Sequence, residues 1–200
     1  MKGAVGTVVR DIGLILMAVF VFVAVVAMLW VNPKGTKSEQ KELIRLQGLV
    51  VVAIEWPSQV NVDVDLWVKA PQTMPVGYSN KGNVDCDLLR DDRGTIADPG
   101  TGNFEMTTCR VLDPKGEYVA NVHYYGGNVI PVTVTYTINI KKDGKLIPVT
   151  EGQVILETYS QEITLARFRV GEDGLPLRDT LNNFPRSLIT KRQSPIGGGR

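Results

Sequence analysis

Acidic residues in two short stretches of the sequence form a candidate metal site. Asp63 and Asp65 alternate with apolar residues, and Asp91 and Asp92 open a Gly-rich stretch at residues 90–103. Hard carboxylate oxygens on loops suit calcium, so these four aspartates are the candidate ligands. Further candidates are Asp85, Asp87 and Asn103. The alternative is that Asp65, Arg90, Asp91 and Asp92 form a structural network of salt bridges and turns.

Enzymatic chemistry finds no support in the sequence. The chain has a single histidine, His123, and a lone histidine within a strand is typical of a structural role. Without this histidine no Ser/His/Asp or Cys/His catalytic set can be assembled. In addition, the sequence has no glycine-rich phosphate loop between a strand and a helix, and no Cys/His spacing that suits zinc. The net charge of +1 gives no electrostatic basis for binding nucleic acid. We therefore expect neither an enzyme nor a nucleic-acid partner.

Asp11 stands at the start of a long apolar run. From Ile12 to Val31 no residue is charged and none is proline, and such a run spans roughly 30 Å as a helix. The run predicts one transmembrane helix over residues 11–32. Asp11 then has two interpretations: an interfacial residue that complements the helix dipole, or an ion-carrying carboxylate that faces a partner helix.

The orientation follows from the segments on either side of the helix. Two features favour a cytoplasmic N-terminus: the tail at residues 1–10 is very short, and large domains translocate largely regardless of charge. The count of Lys and Arg on the two sides of the helix does not itself favour this orientation. We expect a single-pass protein of the bacterial inner membrane with a cytoplasmic N-terminus and a periplasmic domain. In that oxidising compartment Cys86 and Cys109 can form a disulfide; the alternative is two reduced, buried cysteines.

The remainder of the chain has the pattern of an all-β domain. Residues 33–47 form a linker or a short amphipathic helix, and from residue 48 short β-branched segments alternate with turn residues. The clearest strand, residues 131–140, meets residues 145–149 across a Lys-Lys-Asp-Gly turn. About eight strands over residues 48–170 predict an antiparallel β-sandwich. Residues 171–200 predict an extended or disordered tail that packs through Leu175, Leu177 and Phe184.

Four ordered motifs carry a resemblance to a bacterial β-sandwich family of poorly defined function. They are DVDLWV at residues 63–68, YSN at 78–80, RDD at 90–92 and GEY at 116–118. The resemblance covers about residues 48–140. It implies a β-sandwich fold and an extracytoplasmic location.

A second resemblance covers residues 8–35 alone. A short tail, an aspartate at the helix mouth, an unbroken apolar helix and a following domain are similar to the small subunits of ion-driven membrane motors, the MotB, ExbD and TolR group. In that group the aspartate carries the ion, and two copies of the small subunit sit inside a ring of a polytopic partner. The resemblance implies that Asp11 carries H⁺ or Na⁺.

Two functions follow as expectations. In the first, a homodimer of this chain is the small subunit of a proton- or sodium-driven motor, and the β-sandwich transmits force to a cell-envelope target. In the second, the chain is a membrane-anchored periplasmic β-sandwich that acts as a binding, adhesion or scaffold module without ion transport. Trp67, Tyr78, Tyr124 and Tyr125 are then candidates for a binding face.

Overall fold

The computed structural model describes residues 12–25, 48–97 and 102–189. The chain divides into two compact units, Met1–Ser38 and Glu39–Arg200.

The first unit contains helix α1, residues 12–25, whose side chains are mostly exposed. Phe20 and Phe22 are 73% and 69% exposed. Within the described ranges, no helix has both the length and the apolar character that a bilayer crossing requires. Asp11 and residues 26–32 of the predicted span lie outside the described residues, and so do residues 33–47.

The second unit is an antiparallel β-sandwich, which confirms the predicted all-β class. Its strands are β1 (Val50–Trp56), β2 (Val62–Lys69), β3 (Cys86–Arg90), β4 (Asn103–Cys109), β5 (Tyr118–Gly127), β6 (Val132–Lys142), β7 (Lys145–Leu156), β8 (Glu162–Val170) and β9 (Pro176–Asn182). A short helix α2 (Gly94–Ala97) lies between β3 and β4. One sheet has the order β3-β4-β1-β6-β7, and the other has the order β2-β5-β8-β9.

Alternating apolar residues form the core between the two sheets. Along β2, Val62, Val64, Leu66 and Val68 belong to the main core cluster, whereas Asp63, Asp65 and Trp67 lie on the opposite face of the strand. On β5 the core residues include Tyr124, which is fully buried and whose hydroxyl donates to the carbonyl of Val129 at 3.1 Å. Tyr124 is therefore a core residue, and the structure removes it from the predicted binding face.

The predicted disulfide is present. Cys86 on edge strand β3 lies directly opposite Cys109 on β4, and the two sulfurs are bonded with a Cα–Cα distance of 4.0 Å. Because the bridge joins residues 23 positions apart, it holds the edge strand to its neighbour and closes the loop that contains Asp91 and Asp92.

The sandwich continues beyond Val170, where the sequence analysis ended it. Strand β9 pairs with β8 through Arg169↔Leu177 and Val170↔Pro176. Leu177 is 38% exposed and Phe184 is 69% exposed, so neither is a buried packing residue. Residues 183–189, here called the strap, then run on without strand pairing to a buried Leu188. Residues 190–200 lie outside the described residues.

Candidate functional site

Glu105 connects the two sheets at the edge formed by β2. Strand β2 ends its sheet, so the N–H of Leu66 has no strand partner on that side. Instead this N–H donates to Oε2 of Glu105 at 2.6 Å, and the N–H of Asp92 donates to Oε1 at 3.2 Å. The Glu105 side chain is fully buried and has no cationic partner among the described residues. A buried carboxylate is thus held by backbone donors alone.

Two aspartates bring their carboxylates to the same place. Asp65, Asp91 and Glu105 each offer an oxygen within 4.8 Å of the others. Asp65 is 2% exposed, and its Oδ2 lies 3.1 Å from Nδ1 of His123, its cross-strand partner on β5. Asp91 accepts a hydrogen bond from Nζ of Lys81 at 2.7 Å. Strand pairing, a loop and the sheet edge thus bring three carboxyl groups to one place.

A cavity of about 170 Å³ opens beside these carboxylates, and we call it the acidic cavity. It is lined by three aspartates and by Tyr78, Lys81, Arg93 and Tyr125, the aspartates being Asp63, Asp65 and Asp91. The Oδ1 atom of Asp63 is buried and has no hydrogen-bond partner among the described residues. An orphaned carboxylate oxygen in a polar cavity is the place where a bound cation or water completes a hydrogen-bond or coordination shell.

Burial and neighbouring carboxylates raise the pKa of three acids here, Asp63, Asp65 and Glu105. Desolvation, then the charges of Asp65, Asp91 and Asp92, raise the pKa of Asp63 from 3.8 to about 7. Desolvation also raises the pKa of Asp65, although the hydrogen bond from His123 opposes the shift. Complete burial raises the pKa of Glu105 well above its usual value, against the two backbone donors. Burial and neighbouring acids thus disfavour the charged forms of these three carboxyl groups, although Lys81 and Arg93 line the same cavity.

Two exposed tyrosines form the outer wall of the acidic cavity. The register of β2 and β5 shifts between Asp63 and Val64, which places Tyr125 at a bulge where it is 54% exposed. The Tyr78 ring lies 5.1 Å from the Tyr125 ring and 5.5 Å from the Trp67 ring, in edge-to-face contacts. A Cβ on Gly77 would lie 2.5 Å from Cδ2 of Trp67, so glycine allows the loop to approach the indole this closely.

Tyr78 also lines a second, larger cavity of about 750 Å³, and we call it the aromatic cavity. Trp67, which is 6% exposed, lines this cavity, and so do Leu188 and Ile189 of the strap. Its remaining lining residues are Met74, Pro75, Ser79 and Asn80. Because Tyr78 lines both cavities, they are neighbours on one surface.

Asp92, one of the four predicted ligands, does not line the acidic cavity. Its carboxylate forms a 2.8 Å ion pair with Arg90 and accepts hydrogen bonds from the N–H groups of Gly94 and Phe104. The Arg90 guanidinium also lies 4.6 Å from the centre of the Phe104 ring. Arg90 and Asp92 thus make the contacts that the structural-network alternative expects. Asp65 and Asp91 pair with His123 and Lys81 and also line the cavity together with Asp63.

The three further candidates lie in other contacts. Asp87 forms an ion pair with Arg110, and the carbonyl of Asp85 accepts from the Arg110 N–H. Asn103 donates to the carbonyls of Pro57 and Val60 at 2.9 and 3.0 Å. These contacts hold turns and strand ends in place.

Glu105 is the site residue that the sequence analysis missed. It occupies a strand in which every residue is buried. An acid within an otherwise buried strand is costly unless it is satisfied. The sequence signal that could have identified Glu105 was therefore an acid within an apolar strand, because such an acid needs a hydrogen-bond partner from a neighbouring element.

No protein-family model matches the chain, and neither a curated protein nor a solved structure does. Any function must therefore be argued from the geometry of the cavity. The residues of the DVDLWV, YSN and RDD motifs are neighbours there, since Asp63, Asp65, Tyr78 and Asp91 line one space. The GEY motif lies apart: Glu117 pairs with Arg167 and Arg186, and the Tyr118 hydroxyl donates to the carbonyl of Val111.

Proposed function

We propose that the β-sandwich is a binding module whose acidic cavity holds a divalent cation, with calcium as the ion that its ligands suit. The observation that carries this proposal is the convergence of Asp65, Asp91 and Glu105 within 4.8 Å beside the orphaned Oδ1 of Asp63. Two oxygens on opposite sides of a calcium ion lie about 4.8 Å apart, because each ligand distance is about 2.4 Å. The spacing of the carboxylates is therefore compatible with a shared ion.

The donor chemistry selects among ions. The cavity offers oxygen ligands from carboxylates and no thiolate, and its histidine is already engaged with Asp65. Oxygen ligands of this kind suit calcium and magnesium better than zinc or copper. Asp65, Asp91 and Glu105 would hold the ion, and the orphaned Oδ1 of Asp63 would add a further ligand from the same cavity.

A bound cation would relieve the electrostatic cost of the cavity. Asp63, Asp65 and Glu105 all have a raised pKa because burial and neighbouring carboxylates disfavour their charged forms. A divalent ion favours the deprotonated carboxylates and couples binding to proton release. Tyr78 and Tyr125 at the mouth supply contact area for whatever the loaded module recognises.

Calorimetric titration of calcium into the full chain tests the proposal. We expect saturable binding that is weakened at least about tenfold by Asp91→Asn or by Asp65→Asn, since each removes a charged ligand. Asp179→Asn is the matched control, because Asp179 is exposed on β9, at the opposite edge of the sheet from β2. Absence of binding at millimolar calcium, or equal affinity for the Asp65→Asn and Asp179→Asn proteins, would refute a cation site.

The motor function stays a prediction. Its ion-carrying residue, Asp11, lies outside the described residues, and so do the residues on either side of helix α1. The polytopic partner, the homodimer, the transported H⁺ or Na⁺ and the inner-membrane location remain predictions with it. An Asp11→Asn variant that kept full activity in a cellular assay would contradict that role.

A further inference from the structure

The indole of Trp67 carries an unused hydrogen-bond donor at the aromatic cavity. Trp67 is 6% exposed and lines this cavity, and its Nε1 atom is buried with no hydrogen-bond partner among the described residues. By contrast, Nε1 of Trp56 donates to the carbonyl of Val62 at 2.9 Å. An indole N–H can only donate, so the Trp67 donor requires an acceptor. The cavity that the indole lines is the open space from which a ligand can supply one.

Hydrogen bonds hold the residues around the aromatic cavity in place. Gly77 and Asn80 exchange two backbone hydrogen bonds of 3.0 Å, which close a tight turn beside Trp67. In the strap, Glu162 accepts from the N–H of Leu188 at 2.8 Å and from the Ser187 hydroxyl at 2.6 Å. Fixed walls reduce the ordering cost of binding. The volume of about 750 Å³ also lies within the usual range of small-molecule sites, about 300–1,000 Å³.

The other residues that line the aromatic cavity combine apolar surface with a few polar groups. Leu188 supplies aliphatic surface, and the Tyr78 ring is 39% exposed. Ser79 and Asn80 are exposed polar residues. Nδ2 of Asn80 donates to the carbonyl of Pro75 at 2.8 Å, and Oδ1 of the same amide remains an acceptor for a ligand. A matching ligand therefore carries an acceptor for the indole, a small apolar group and several hydroxyl groups.

The backbone of β2 gives an extended peptide little to bind beside this cavity. Main-chain recognition of a peptide needs free N–H and C=O groups on the strand. The N–H of Leu66 already donates to Glu105, and Val68 and Val76 exchange two hydrogen bonds. A ligand of the aromatic cavity is therefore bound by side chains. Exposed aromatic, hydroxyl and amide side chains together suit a sugar, whose ring has apolar faces and a polar rim.

We propose that the aromatic cavity binds an N-acetylhexosamine unit of an oligosaccharide. Its acetamido carbonyl accepts from the Trp67 indole N–H, and the acetamido methyl group packs against Leu188. The apolar face of the sugar ring lies on the Tyr78 ring, and its hydroxyl groups bond to Ser79 and Asn80. The inference specifies what the proposed binding module recognises. It does not require the cation, because Tyr78 is the residue common to the described linings of both cavities.

Nuclear magnetic resonance of the full chain, titrated with tri-N-acetylchitotriose, tests the contact with Trp67 directly. Cellotriose is the matched probe, because it has the same linkage but no acetamido group. The Trp67 indole N–H resonance should move downfield with the acetylated sugar and much less with cellotriose. The Trp56 indole N–H is the internal reference, since its acceptor is already Val62. An unmoved Trp67 resonance at saturating sugar would overturn the inference.

Calorimetric titration of the same two sugars measures the preference. Tri-N-acetylchitotriose should bind at least about fivefold more tightly than cellotriose, because it gains one hydrogen bond to a buried donor. Equal affinities, or no binding of either sugar at millimolar concentration, would overturn the inference. Acetyl-triproline amide is the peptide probe, since it offers carbonyl acceptors and apolar rings. Binding of this peptide as tightly as the acetylated sugar would assign the cavity to peptides instead.

Three variants locate the binding on the aromatic cavity. Trp67→Phe removes the donor and keeps an aromatic ring, so the preference for the acetylated sugar should disappear. Tyr78→Ala should weaken the binding of both sugars. Tyr159→Ala is the matched control, because Tyr159 is 57% exposed and is not among the lining residues of either cavity. A folded Trp67→Phe protein that keeps the preference would overturn the inference, and the resonance of the wild type decides if this variant does not fold.

Repeating the sugar titrations with calcium and with a chelator separates this site from the cation site. Preference for the acetylated sugar in a protein that binds no calcium would support the saccharide site and refute the calcium site. Calcium binding without any preference for the acetylated sugar would overturn the saccharide site and leave the calcium site supported. The two proposals therefore fail independently.

Discussion

At the scale of single residues, the buried carboxyl of Asp63 determines how the acidic cavity responds to pH. Its Oδ1 has no partner among the described residues, and three other aspartates act on its charge. A carboxyl whose pKa is higher in the folded state keeps its proton where the unfolded chain has already released its own. Such a group stabilises the fold less as the pH rises.

The pH window follows from the shift in the pKa of Asp63 from 3.8 to about 7. In calcium-free buffer the free energy of unfolding should decrease as the pH rises between these values and then level off for this group. Asp63→Asn should flatten part of that slope and be more stable than the wild type at pH 8, by about 1 kcal/mol after solvent screening. Urea denaturation at pH 5 and pH 8 measures both effects, and a slope unchanged by the substitution would contradict them.

The same carboxyl should also make calcium affinity depend on pH. Protonated Asp63 must release its proton to bind a metal, so the affinity should increase as the pH rises through about 7. Titrations at pH 6 and pH 8 in the wild type and in Asp63→Asn separate this group from its neighbours. The substitution should weaken binding at pH 8 and reduce the ratio between the two affinities.

At the scale of elements, one side chain from β4 completes the hydrogen bonding of β2. Glu105 accepts the N–H groups of Leu66 and Asp92, and so it joins the edge of one sheet to the loop that follows the edge strand of the other. Burying the carboxylate costs free energy, but removing it leaves two buried N–H donors unpaired. The cost of the two unpaired donors is the larger of the two, so the carboxylate stabilises the fold.

Glu105→Ala should therefore destabilise the domain by about 3 kcal/mol, from two unsatisfied donors and a small cavity. Thermal unfolding of the full chain measures the loss. Glu151→Ala is the control, since Glu151 is exposed on β7 and should change stability little. A loss no larger than that of the control would show that water replaces the carboxylate without cost.

The disulfide acts at the same scale on β3. Replacing both cysteines by alanine should lower the free energy of unfolding by about 3 kcal/mol, because the bridge closes a loop across a sequence separation of 23. Denaturant unfolding of the double variant gives this value. The variant should also weaken calcium binding, since Asp91 follows β3 directly; equal calcium affinity would show that the loop is held by Arg90 and Asp92 instead.

At the scale of the whole molecule, the β-sandwich fold could be predicted from the sequence, but the C-terminal boundary of the sandwich could not. Strands β5 and β6 alternate apolar and polar residues because one face of each packs in the core, and that period is visible in the sequence. Strand β9, PLRDTLN, is an edge strand whose residues are all exposed or partly buried, so it lacks such a period. The end of the domain was therefore placed too early.

The sequence identified the acidic residues of the site, but it could not show which of them line the cavity. Asp63, Asp65 and Asp91 line one cavity, whereas Asp92 next to Asp91 belongs to an ion pair with Arg90. Adjacent residues on a loop point in different directions, and only the backbone path decides which one reaches the cavity. Glu105 comes from a distant strand, and its role depends on the packing of two sheets.

The coverage of β2 has a consequence for crowded copies of this protein. An edge strand with unpaired backbone groups can template a strand from another chain and so begin aggregation. Here the carboxylate of Glu105 occupies the N–H of Leu66, and two residues further on Val76 pairs with Val68 in both directions. This edge is closed to strand addition by a foreign chain, so copies held side by side at high local density do not pair through β2, beside the acidic cavity.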